Sequence, residues 1–163
     1  MTPVSLMNTL KQFLEEKTTE MILGPDRLRP NVYLVDLPPR AAGEYEELTD
    51  IPATPSDRDE RWPFIIITWG ESDDESVRES QIGMVFGCHG SGQLGYMDLL
   101  HLMEFVRIKL LKETYEGWPC RIERPLSMGL HDEQADPYWT GWMTTTWVTP
   151  TIEEEVWKDV YGR

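Results

Sequence analysis

The stretch that most constrains this chain runs from Gly95 to Glu116, GYMDLLHLMEFVRIKLLKETYE, which has helical spacing but too much apolar surface for one dry side. Leu99, Leu100, Met103, Val106 and Leu110 recur at intervals of three and four, the pattern of an amphipathic helix laid on a core. Leu102, Phe105 and Ile108 fall off that stripe. A helix this broadly apolar predicts cover on a second side, from the same chain or from another copy of it.

With 163 residues the chain can bury one sizeable core, so the expectation is a single domain over residues 1–163. Its 29 Asp and Glu against 15 Lys and Arg give a formal charge of −14, which repels nucleic-acid phosphates and anionic membranes alike. The two cysteines, Cys88 and Cys120, have neither a disulfide framework nor metal-ligand spacing, so reduced thiols are expected, in an intracellular or virion setting. The first residues lack a basic n-region and an unbroken apolar run, and no stretch reaches membrane-span length.

Thr2 and Pro3 start a first helix, and Leu6, Leu10, Phe13, Leu14 and Met21 continue its spacing until Gly24-Pro25. Val32 to Leu37 reads as a strand fenced by prolines. Residues 40–62 form an acidic arm with almost no periodicity. Phe64 to Trp69 is apolar on both alternating faces, as in a central strand.

After an acidic turn from Glu71 to Glu79, Ile82, Met84, Phe86 and Cys88 alternate with Gly83, Val85 and Gly87, which predicts a hairpin partner for the preceding strand. The flat glycine face leaves room for a bulky group or another backbone. Gly90 to Gly95 loosens into the long helix, and Gly117 to Pro119 ends it. Arg121 to Met128, carrying Pro125, reads as an edge strand, and Tyr138 to Val148 as its partner. A short closing helix is expected from Thr151 to Arg163, with Val156, Trp157 and Val160 on one side. The fold class is α+β: one mostly antiparallel sheet, in the order helix, strand, arm, hairpin, helix, hairpin, short helix.

Three stretches carry catalytic temptations. His131, Asp132 and Glu133 with Asp136 hold metal-ligand and proton-transfer chemistry, the basis of a metal-assisted hydrolase reading, but a polar turn between strands accounts for the same letters. Cys88 and His89 are adjacent on a strand and so point to opposite faces. Residues 87–92 are Gly-rich before a helix, yet lack the Lys-Ser/Thr of a phosphate loop and the spacing of a dinucleotide turn. No catalytic residue, metal or cofactor is therefore expected. Among seven tryptophans, Trp139 and Trp147 share one face of the last strand and Trp142 takes the other, which points to a partner-binding surface.

In the order and character of its elements the chain resembles the tail terminator (tail completion) family of long-tailed bacteriophages. The resemblance is carried by VSLMNTLKQFLEEK, PFIIITWGE, QIGMVFGCHGSG leading into YMDLLHLMEFVRIKLLK, and the closing hairpin CRIERPLSMGLHDEQADPYWTGWMTTTWVT. It implies a virion protein, assembled in the host cytoplasm, that forms a ring, commonly a hexamer, on the head-proximal end of the tail tube. Such a ring stops tube growth and joins a head-to-tail connector protein, while DNA passes through without specific binding. Related connectors, stoppers or adaptors, share these features. On this resemblance Leu102, Phe105, Ile108, Trp139, Trp142 and Trp147 are the expected subunit contacts. Glu44, Glu46, Glu47, Asp57, Asp59, Glu71, Asp73, Asp74 and Glu75 are expected to face the channel or tube, where carboxylates avoid holding phosphates. The acidic arm departs from the simplest family pattern, and its masking of a basic partner is a further possibility.

Overall fold

In a computed structural model, which describes residues 1–40, 59–75, 77–114 and 118–149, the Thr2 hydroxyl oxygen accepts the Ser5 amide N–H at 3.1 Å and begins α1, Pro3–Lys17. The helix ends well before Gly24. The Thr18 hydroxyl donates to the Leu14 carbonyl, and the Thr19 hydroxyl to those of Glu15 and Glu16, so side chains rather than further turns satisfy the last carbonyls. Met21 and Leu23 stay buried although they have left the helix.

Strand β1, Asn31–Leu34, stops short of Leu37 because Val35 takes a left-handed φ of 73°. Strands β2, Phe64–Asp74, and β3, Arg78–His89, run on through most of the expected acidic turn. Beyond a register irregularity between Trp69 and Ser72, the Ser72 and Ser80 hydroxyls share a hydrogen bond of 2.8 Å, and the Trp69 indole donates to Ser72. Helix α2, Gly92–Glu113, is followed by β4, Arg121–Leu130, and β5, Tyr138–Thr149. The expected closing helix lies outside the described residues, as does most of the acidic arm.

The strands form one five-stranded sheet in the order β1-β2-β3-β5-β4, antiparallel except for β1 with β2. Both helices lie on the same face, which makes a single α+β domain. Ile65, Ile67, Ile82, Met84, Phe86, Met143 and Trp147 meet Leu6, Leu10, Leu14, Leu99, Leu102, Val106 and Leu110 in one core. The β3 alternation holds, with Ile82, Met84, Phe86 and Cys88 all buried. Its glycine face is filled from within the chain at Gly87, where a Cβ would stand 2.4 Å from the Phe64 ring and 2.6 Å from Trp62.

The two ends of the sheet differ. β4 is an edge strand carrying Pro125, with its register broken between Glu123 and Ser127. At the other end β1 covers only Phe64 to Ile67, and no described strand pairs with the rest of that side of β2, where Glu71, Asp73 and Asp74 are exposed.

Helix α2 begins a turn earlier than its glycines imply, because they serve close packing rather than looseness. A Cβ on Gly95 would lie 2.1 Å from the Gly90 carbonyl oxygen, which also accepts the Trp139 indole N–H at 2.9 Å. In an open helix interior Gly→Ala gains about 0.5–1 kcal/mol. Here Gly95→Ala is expected to cost about 1–3 kcal/mol, since backbone or Trp139 must move. Urea unfolding of the variant checks the sign.

Candidate functional site

The loop between β4 and β5 holds the residues that most invite a metal, and their geometry gives them other partners. Both Asp136 carboxylate oxygens accept the Gly92 amide N–H, at 3.2 and 3.3 Å, so this acid sits at the positive end of α2. His131 Nδ1 is 2.9 Å from the Thr140 hydroxyl. Gln134 ties the loop down, donating to the His131 and Thr140 carbonyls and accepting the Thr140 N–H. Asp132 and Glu133 are exposed. Among the described residues no three His, Cys, Asp or Glu side chains come together as a metal site.

Cys88 is wholly buried, while His89 on the other face stacks near Tyr138 at 5.0 Å. Burial pushes the Cys88 thiol up to about 12, with Asp98 adding to it, and burial likewise raises Cys120 to about 11. Neither thiol has the environment of a nucleophile.

The expected subunit contacts divide. Leu102 and Trp147 are fully buried within the chain, so neither reaches outward, and the expectation is corrected for both. Leu102 belongs to the inward face of α2 with Leu99, Met103 and Val106. Trp147 stacks on Trp118 at 5.7 Å and donates its indole N–H to Thr145. Trp118 in turn meets Phe13 of α1 edge-on at 5.1 Å. Trp139 is half-buried on the helix side of the sheet, held between Gly90 and Tyr96. Trp142 is half-buried on the opposite face, its ring over Gly129.

Phe105 is half-buried and Ile108 is 36% exposed. They continue an outward line on α2 that the sequence reading missed, through Leu94 at 79% and Met97 at 52% exposure. His101 and Lys112 complete it at steps of three and four. Starting the helix at Gly92 instead of Gly95 is the signal that brings Leu94 onto this line.

Beside the line runs a groove of about 670 Å³, between α2 and the segment after α1, lined by Lys17, Met21, Ile22, His101, Phe105 and Lys109. Lys17 and Lys109 both pair with Glu113. The hydrogen bond from Lys109, then that from Lys17, holds the Glu113 carboxyl below its ordinary range.

Of the acidic residues, Glu44, Glu46, Glu47 and Asp57 lie outside the described residues. Asp59 is not a free channel-facing carboxylate. Arg61 grips it through Nε at 2.9 Å and Nη2 at 2.8 Å, with Arg40 at 3.8 Å, and the Arg61 hydrogen bonds hold its carboxyl below the usual range. Glu71, Asp73, Asp74 and Glu75 are all exposed, the first three on β2 and Glu75 just beyond it.

Compared with known proteins, the chain matches no family model and no curated protein.

Proposed function

We propose that this chain is a structural subunit of a phage tail. It is a tail terminator whose copies close into a ring, commonly six, on the end of the tail tube, stop its growth and present the surface that meets the head. One observation carries the reading: α2 packs the core through one side and presents an exposed apolar line through Leu94, Met97 and Ile108 on the other. A highly charged chain gains nothing from such a line while it stands alone in water, and burying it between subunits removes that apolar area from solvent. The exposed carboxylates of β2 support a surface that lets DNA pass, because they offer phosphates no cation to hold.

Light scattering over a range of concentrations, alone and with tail tube protein, tests the proposal. The expected result is a ring-sized particle, formed alone or on the tube. A chain that stays monomeric and ignores the tube refutes it, and association with the connector but not the tube moves the chain to the related joining proteins.

A further inference from the structure

The carboxylates of this chain are unevenly placed, and their distribution selects how two copies can meet. Of 163 residues 29 are Asp or Glu, yet the outward line of α2 from Leu94 through Met97, His101, Phe105 and Ile108 to Lys112 contains none. A second carboxylate-free area lies on the sheet face turned away from both helices. There Ile66 and Thr68 of β2, Val85 of β3, and Trp142, Thr144 and Thr146 of β5 stand side by side. These two areas are on opposite sides of a two-layer domain.

Copies carrying a charge of −14 repel each other wherever their acidic surfaces come within about 10 Å at ordinary ionic strength. A basic partner would be drawn to the acidic edges instead, so faces without carboxylates favour a second copy of the same chain. We infer that successive copies dock head to tail, the outward line of α2 of one copy lying on the bare sheet face around Trp142 of the next. The inference rests on the ring reading above and names its contact.

The dimensions agree. The stretch from Leu94 to Ile108 is about 21 Å of helix, and a five-stranded sheet is about 19 Å wide. Docking turns each two-layer domain into the middle of a helix, sheet, helix stack, a stable way to cover a sheet on both faces. Because two different surfaces meet, every copy keeps one free surface of each kind, and the chain of copies ends only by closing into a ring.

Met97→Glu and Thr144→Glu test the contact, since both side chains are exposed and neither change touches the core. Molar mass by analytical ultracentrifugation is the readout, with tail tube protein present if the wild-type ring needs it, and circular dichroism melts confirm folding. Each variant alone is expected to be a monomer at concentrations where the wild type is assembled. An equimolar mixture is expected to give a one-to-one dimer, because each variant keeps the face that the other has lost.

Loss of assembly with Met97→Glu but not with Thr144→Glu would mean that α2 meets α2 across a two-fold, and overturns the inference. A wild-type ring unaffected by either change also overturns it while leaving the ring reading intact. A wild type that never assembles sinks both.

Discussion

Trp147→Ala is expected to remove about 3–5 kcal/mol of folding stability, the range for truncating a buried aromatic side chain. The ring is wholly inaccessible and joins three parts of the chain that are distant in sequence. It stacks on Trp118 after α2, and through Trp118 reaches Phe13 of α1. Its indole N–H donates at 2.8 Å to Thr145, whose hydroxyl donates at 2.8 Å to the Ile82 carbonyl. Truncation therefore opens a cavity between both helices and the sheet and also frees a buried acceptor. Trp147→Phe keeps most of the stack and loses the hydrogen bond, for an expected cost nearer 1 kcal/mol. Equilibrium urea unfolding separates the two, and an alanine variant within about 1 kcal/mol of wild type would show that the stack does not hold these elements together.

Stability is also expected to fall on the alkaline side, by an amount on the order of 4 kcal/mol across the window from pH 9 to 12. The buried Cys88 thiol ionises near 12 in the folded chain against 9.0 when free. The folded state therefore keeps its proton to higher pH than the unfolded state does. That contribution is fully present below pH 9 and is lost as pH rises towards 12, at about 1.4 kcal/mol per unit. Cys120, raised by burial as well, acts in the same direction. Denaturant titrations between pH 7 and 10.5 should show wild type losing stability faster than Cys88→Ala above pH 9. Parallel curves for the two proteins would contradict the assignment.

Much of the fold was legible from local chemistry. Thr2 with Pro3 marked the start of α1, the doubly apolar run from Phe64 marked a central strand, and Ile82 to Cys88 marked the inward face of β3. What stayed hidden depended on contacts across the chain. Gly95 reads as a helix breaker in isolation, yet it is the position where the Gly90 carbonyl and Trp139 crowd α2. Leu102 looked surplus because a stripe was drawn for a helix touching one surface, whereas α2 contacts β3, β4 and β5 and needs a wider inward face. The same late start concealed Leu94. Alternation placed the tryptophans of β5 on their correct faces, but it does not say that the helix-side face is sealed at Trp147 and half-closed at Trp139. Asp136 could not be separated from a ligand until Gly92 was seen to use it.

The two unlike ends of the sheet determine what kind of polymer this chain can enter. At β4 the backbone itself refuses a further strand, since Pro125 has no N–H to give and the register is broken beside it. At β2 the backbone past Ile67 has the form of a template, and the guard is the electrostatic repulsion an incoming strand of another acidic copy would meet at Glu71, Asp73 and Asp74. Lateral growth by strand addition, the route to fibrils, is thus barred on one side by covalent structure and on the other by charge. Stacking of layers remains open, so an assembly of these subunits can be a counted object with an end rather than a filament without one.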